Sequence, residues 1–410
     1  MKNFLCLVIV SIICVACTKE SGMISEPAET VQDGWVSVFT PDEESLSTRG
    51  SGLQKVLHSG SWIMVEDAWC IPAEGKPGYL VHAPRLFIST VNGNHWDTLS
   101  VPSKGFVHTL YSDSTAFYIG TTTGDVLKYL PDSKEWIKIN VLDSSDGIEY
   151  GVYGIAKFEN NLIVCLAGFK DTVTKEVKSV LRLQNGDSWI DLETPPIHYD
   201  DYTAKKIPLQ FHKGVEWNGN FYAATSDGVF ELKPGSRTWT QLPFPPKVQY
   251  TKLYIANPVQ DILVHKNKLI IADQWSLLAY EWDDIKNDWV SIDSLFLDGF
   301  DRDSLDYTIC VNSIHGKHAL VSDGVHLFSF GKRSYPKVYM GDYGEPYGNI
   351  PKGWRKIVGA TINGKHILPD ALIYGGDVID GMLYAATYKG LYKIPLKNLD
   401  RIIANEKDFF

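Results

Sequence analysis

The chain has 410 residues, of which 49 are acidic and 39 basic, for a formal net charge of −10. The acidic residues are scattered, and no basic patch of the kind that nucleic-acid phosphates require is present, so nucleic acid is excluded as a partner. With 44% hydrophobic residues, 12% aromatics and 34 Gly to supply turns, the composition is that of a globular protein able to bury a large core.

Met1 to Ala16 carries one Lys and an apolar run from Phe4, too short to span a bilayer as a mature helix and suited to a cleaved export signal. The segment Cys14-Val15-Ala16-Cys17 resembles a bacterial lipobox, with Cys14 where Leu is more usual. The resemblance implies that Cys17 becomes the acylated first residue and that the membrane is met through this anchor alone. Thr18 after it is compatible with an outer-membrane or cell-surface destination. Residues 17–33 are polar and read as a flexible linker. Loss of Lys2 with the leader takes the 39 basic residues to 38 against 49 acidic ones. Cys70, Cys165 and Cys310 remain, an odd set in apolar runs, expected to be buried single thiols.

From Trp35 onward one unit recurs. Phe221 to Leu242 reads FYAATSDGVFELKPGSRTWTQL, a hydrophobic run, a tight Ser-Asp-Gly turn, a second run and a Trp-headed third run. Phe117 to Ile139 and Leu269 to Ile292 repeat it, and Leu383 to Ile394 begins it and stops. Short β-branched and aromatic runs with period-two alternation between Gly, Asp, Asn and Ser turns predict strands throughout. Trp35, Trp96, Trp136, Trp189, Trp239, Trp289 and Trp354 head the Trp-led strands and are expected to pack between sheets.

In chain order, the predicted strands before Trp96 are 60–68, 78–83 and 85–91, and before Trp136 they are 106–112, 116–121 and 125–130. Those before Trp189 are 152–158, 161–167 and 179–184, and before Trp239 they are 211–217, 220–225 and 228–232. Strands 259–265, 268–273 and 277–282 precede Trp289, and 309–315, 318–322 and 325–330 precede Trp354. The last three, 374–380, 382–387 and 390–394, lack a Trp-headed partner, which Trp35 supplies. This is the pattern of a circular array, an all-β, seven-bladed β-propeller closed by an N-terminal strand, over residues 34–398 with a tail at 399–410. Each unit spans about 52 residues.

The repeats resemble bacterial propeller repeats intermediate between Kelch and Asp-box types. Tyr129, Leu232 and Trp282 each precede a repeat Trp by the Kelch-like interval, whereas the double Gly of that family is absent. Ser89 to Trp96 keeps the Ser, Gly and Trp of an Asp-box, with Val91 in place of the Asp. By this resemblance, connections between blades and turns between second and third strands share one face, here called the top. The long segments 142–151, 193–210, 243–258 and 293–308 fall there.

Tyr150, Tyr153, His198, Tyr199, Tyr202, Tyr250 and Tyr254 lie in or beside those segments, and Trp275 in a turn of the same face. Such rings can stack on sugars, clamp a peptide or cap the blade ends. Asp298, Asp301, Asp303 and Asp306 form an oxygen-only set that could hold Ca²⁺ or simply face water, and Asp200 and Asp201 flank two of the tyrosines. A second aromatic stretch, Tyr335, Tyr339, Tyr343 and Tyr347, reads as a loop on the opposite face.

HExxH, paired CxxC, phosphate-binding Gly-loop and GxSxG motifs are all missing. A sialidase-type activity would need an arginine triad, for which Arg49, Arg85 and Arg302 are the available residues, without an Arg-Ile-Pro motif. The function expected is therefore a surface-anchored, non-catalytic binding protein that presents one propeller face to a glycan or protein ligand and needs no cofactor. The alternatives are a carbohydrate-active hydrolase or lyase using top-face carboxylates, and a structural subunit of a cell-envelope complex.

Overall fold

The computed structural model describes residues 35–41, 52–68, 70–72, 80–142, 148–171, 176–195, 209–244, 259–273, 279–291, 319–331, 337–342, 354–357, 361–362, 365–366, 373–387 and 390–398. The sole helical element among them is a single turn, Leu396–Asn398, and no described helix is long and apolar enough to cross a membrane. Everything else regular is strand.

Six blades, each from one continuous stretch of chain, follow one another as four-stranded antiparallel sheets. The first comprises Leu53–Ser59, Trp62–Asp67, Arg85–Thr90 and Asp97–Leu99. The second comprises Val107–Ser112, Phe117–Thr121, Val126–Leu130 and Glu135–Ile139. The third comprises Tyr150–Phe158, Asn161–Asp171, Glu176–Asn185 and Ser188–Leu192. The fourth is built from Phe211–Trp217, Asn220–Thr225, Gly228–Leu232 and Trp239–Gln241. The fifth is built from Val259–His265, Lys268–Asp273, Ala279–Asp283 and Asp288–Ser291, and the sixth from Ala319–Ser322, His326–Gly331, Lys337–Asp342 and Trp354–Ile357.

A further four-stranded sheet is composite. Ile373–Ile379, Met382–Thr387 and Gly390–Pro395 pair in order, and Val36–Phe39 joins the last of them antiparallel, with Val36 opposite Lys393. The sequence reading counts seven units. The structure has six chain-continuous blades and this one sheet that both ends of the chain share.

Local chemistry explains why each unit folds as a meander. The first two strands are joined by two-residue turns at Glu159-Asn160, Asn218-Gly219, Lys266-Asn267 and Asp380-Gly381, all with positive φ, the geometry that matches strand twist and favours Asn and Gly. In the fourth blade and the composite sheet the turn between second and third strands is latched by a threonine. Thr225 Oγ1 donates to the Gly228 carbonyl at 2.9 Å and Thr387 Oγ1 to that of Gly390 at 2.9 Å. The Kelch-like interval has a direct meaning, because Tyr129 and Trp136, Leu232 and Trp239, and Trp282 and Trp289 are cross-strand partners of the third and fourth strands. Cross-strand aromatic pairs are a main source of sheet stability.

The repeat tryptophans do work between sheets. Trp189 Nε1 donates to the Asn140 carbonyl at 2.8 Å and Trp289 Nε1 to that of Pro243 at 2.8 Å, each reaching the chain just past the preceding blade's outer strand. Trp35 is fully buried beside Phe328, Leu383 and Ile394. Cys165 is a buried single thiol.

Two expectations are corrected. In the first blade the innermost strand is Leu53–Ser59, ahead of the predicted 60–68. Residues 78–83 do not supply a blade strand: Leu80–His82 pairs with Cys70–Pro72 in a separate two-stranded hairpin inserted between second and third strands. Asp67 stands where the fourth blade and the composite sheet have a latching Thr; its carboxylate accepts from Gly52 N at 3.1 Å and from Arg85 Nη2 at 2.7 Å, clamping the base of the insertion. In the sixth blade, Lys337–Asp342, read as part of a loop, is a strand between His326–Gly331 and Trp354–Ile357. The predicted strand 309–315 lies outside the described residues.

Candidate functional site

The first strands run side by side around a common axis. Leu53–Ser59 lies beside Val107–Ser112, and then Tyr150–Phe158, Phe211–Trp217, Val259–His265, Ala319–Ser322 and Ile373–Ile379 follow in turn. Ile373–Ile379 returns beside Leu53–Ser59. The beginnings of these strands therefore gather at one end of the axis, the end expected to be the top.

At that end the same irregularity recurs. In five blades and the composite sheet, a register shift near the start of the first strand, after one paired residue in all but the third blade and after three there, sets Gln54, His108, Tyr153, His212, Gln260 and Tyr374 outside the ladder, each a single extra residue. A bulge re-aims a side chain that regular alternation would commit to a sheet face. The residue before it is buried in every case where burial is described: Leu53, Val107, Val152, Phe211 and Val259. The bulged residues Gln54, His108, Tyr153, His212 and Gln260 are half-buried or exposed. Two imidazoles, two amides and a phenol are thus delivered to one rim by the backbone itself.

Around this rim the inner strands approach closely. Gly154 shows how tightly, since a Cβ there would lie 2.4 Å from Phe211 Cβ in the next blade. Charges inside the ring are paired across blades: Lys213 Nζ lies 2.7 Å from Asp261 Oδ1, and Asp261 Oδ2 accepts from Leu320 N at 2.7 Å. At the far end of the same strands, Asp113 accepts from Thr115, Ala116, Tyr118 and Lys157. Burial would raise the Asp113 carboxyl, but the hydrogen bonds from Lys157 and Thr115 outweigh it and hold it down to about 2. Such a saturated carboxylate ties the second and third blades together, as His58 Nδ1 and Asp377 Oδ2, 2.6 Å apart, tie the first blade to the composite sheet.

Of the sequence candidates, Tyr150 is 6% exposed and packs with Val152, Val164 and Leu166, with Lys178 Nζ 6.0 Å from its ring centroid. Tyr153 stands on the rim, its ring 4.5 Å from that of His108 in an edge-on arrangement. Burial pushes the Tyr153 hydroxyl up, with the neighbouring Cys165 adding to the shift, so it remains a protonated donor at neutral pH. His198, Tyr199, Tyr202, Tyr250, Tyr254 and Trp275 lie outside the described residues, as do Cys17, Arg49, Arg302 and Asp298, Asp301, Asp303 and Asp306. Arg85 is engaged by Asp67 through Nε at 3.2 Å and Nη2 at 2.7 Å, and its guanidinium sits 5.3 Å from the Phe87 ring centroid. Among the described residues no group of three or more His, Cys, Asp or Glu is placed to hold a metal ion.

Sequence reasoning missed Gln54, His108, His212 and Gln260, because a bulge has no residue signature of its own. It also missed Phe106, 42% exposed immediately before the second blade. The signal that could have found the bulged residues is positional: Gln54, His108, His212 and Gln260 each follow the apolar residue that opens a first strand.

No protein family and no curated protein matches the chain. Solved structures do. The extracellular domain of BT4673 from B. thetaiotaomicron aligns over 88% of this chain with a TM-score of 0.53 and 11% identity, and the chain spans 39% of that protein's length. A catalytically inactive virginiamycin B lyase from Staphylococcus aureus, crystallised with quinupristin, aligns over 85% of this chain and 96% of its own, with a TM-score of 0.52 and 10% identity. At such identities the likeness establishes the fold: the chain is an all-β β-propeller.

Proposed function

We propose that this chain is an extracytoplasmic, non-catalytic binding protein, tethered through an acylated Cys17 and presenting the bulged end of its propeller to a glycan or protein ligand. The observation that carries the reading is the recurrence of the bulge. A distortion repeated in five blades and the composite sheet, at the same end of the first strand, collects hydrogen-bonding groups on one rim of a rigid scaffold, as ligand sites commonly require. The long segments 193–210, 243–258 and 293–308, with Tyr199, Tyr202, Tyr250 and Tyr254, would extend the same rim.

The reading includes a ring of seven blades, the composite sheet being the seventh and Val36–Phe39 its outer strand. Its support is the unbroken circuit of first strands and the pairing of Val36 with Lys393.

Two measurements test the proposal. The purified protein is passed over a glycan array and a polysaccharide panel, and over envelope extract for protein ligands. Retention without product release is the expected result, whereas turnover of any polysaccharide would replace this reading with a hydrolase or lyase. Separately, Cys17→Ala is expected to move the protein from the membrane to the soluble fraction with its melting temperature unchanged, because the tether is covalent and the linker carries no core residues. A variant that still sediments with membranes would remove the anchor from the proposal.

A further inference from the structure

One part of the rim is more fully built than the rest. Along the approach to the second blade, Pro102, Lys104, Phe106 and His108 are exposed while Val107 and Thr109 are buried, so Phe106 and His108 both reach solvent on either side of Val107. Phe106 is held in place although its ring is exposed: its N–H donates to Thr122 Oγ1 at 3.0 Å and its carbonyl accepts from Thr122 N at 2.9 Å. His108 meets the Tyr153 ring from the adjacent blade at 4.5 Å.

The gap between these groups depends on Gly151. A Cβ there would stand 3.3 Å from both the Thr122 carbonyl oxygen and Tyr153 Cε2, so the absence of a side chain lets the tyrosine lie against the turn that holds Phe106. His108 and Tyr153 therefore face each other across the junction of the second and third blades, with Phe106 beside them on the turn that Thr122 holds, and the three make up the strip.

We infer that this strip is a subsite for a pyranose ring of a neutral oligosaccharide, with Phe106 as the stacking platform and His108 and Tyr153 as hydrogen-bonding partners of the ring hydroxyls. The inference rests on the binding-protein reading and names its ligand class. An exposed aromatic face carries negative quadrupole density, which suits the partly positive axial C–H groups of a sugar. An imidazole and a phenol beside it can donate and accept hydrogen bonds. The nearby carboxylate Asp125 is already engaged by Lys138 Nζ at 2.6 Å and Ser103 Oγ at 2.6 Å. A peptide that added to a sheet would need an open strand edge, and the strip lies at the first strands, which are flanked by their neighbours around the axis.

The test is calorimetric titration of the full mature protein with maltohexaose, cellohexaose, laminarihexaose and mannohexaose, and with polygalacturonate as an acidic arm because Lys104 lies on the same run. The expected result is binding of at least one neutral hexasaccharide, weakened about tenfold or more by Phe106→Ala and several-fold by His108→Ala. Phe106→Ala should melt as the wild type does, since the lost ring is exposed, which separates a binding role from a packing one. Tyr153→Phe keeps the ring and removes one hydrogen bond, and is expected to weaken binding less than Phe106→Ala. If a neutral hexasaccharide binds and Phe106→Ala leaves the affinity unchanged, the subsite is wrong while the binding-protein reading stands. Binding only to polygalacturonate, abolished by salt, would assign recognition to charge and overturn the neutral-sugar inference. So would the absence of binding to all five probes, whereas retention of a protein from envelope extract would still uphold the broader reading.

Discussion

At the scale of single residues, two positions show how closely the blades depend on one another. Gly154 occupies a place where any Cβ would collide with Phe211 of the next blade, at 2.4 Å, and the atom it would meet is itself a Cβ, unable to swing aside. Gly154→Ala should therefore destabilise the protein by about 1–3 kcal/mol, the usual cost of overpacking a tight interior, measured by denaturant unfolding. A variant as stable as wild type would mean the inner strands can separate. His58 offers a pH-dependent counterpart. The hydrogen bond with Asp377 raises its pKa above 6.5, burial opposes this, and the charges of Asp377 and Asp380 reinforce it. Because the folded value is the higher one, the stabilisation is complete below 6.5 and is lost as pH rises through the raised value. The melting-temperature difference between wild type and His58→Gln should accordingly shrink between about pH 6 and about pH 9. A difference that stays constant over that range would show that the pair carries no charge-dependent stabilisation.

At the scale of elements, Asp67 and Arg85 illustrate a local solution to an insertion. In the fourth blade and the composite sheet a threonine hydroxyl latches the turn between the second and third strands, but here a hairpin intervenes, and a buried carboxylate that accepts from Arg85 Nε and Nη2 holds the strand ends together. Asp67→Ala would remove the carboxylate to which Gly52 N and Arg85 both donate. It is expected to cost about 3–5 kcal/mol, at the lower end because Arg85 retains some solvent, with the hairpin becoming protease-sensitive before the blade unfolds. The strand pattern itself was legible in the sequence wherever two-residue Asn or Gly turns and Trp-headed strands mark the unit, as in the second, fourth and fifth blades. It failed at Leu53–Ser59, whose polar alternation hides an inner strand, and at Lys337–Asp342, where Gly, Pro and Tyr suggested a loop. The rim was legible only through Tyr153, since bulge positions depend on pairing register, which a single strand's residues do not reveal.

At the scale of the whole molecule, Trp35 and Val36–Phe39 tie the N-terminal side to the composite sheet. Deleting residues 18–41 removes a fully buried tryptophan together with the partner of Gly390–Pro395, and leaves that strand as an open edge. The truncated protein should melt well below wild type and aggregate, although the segment looks dispensable by position; an unchanged melting curve would show that the strand is an accessory. The shared sheet also bears on how the chain is made. Val36–Phe39 is synthesised well ahead of the Gly390–Pro395 strand it pairs with, so this sheet waits for the C-terminal side of the chain. Loop entropy adds little thermodynamic penalty, since each doubling of the loop costs only about 0.6 kcal/mol, but the kinetic order is strict. Under the export reading, the pairing of Val36–Phe39 with Gly390–Pro395 closes only after the later strand has crossed the membrane.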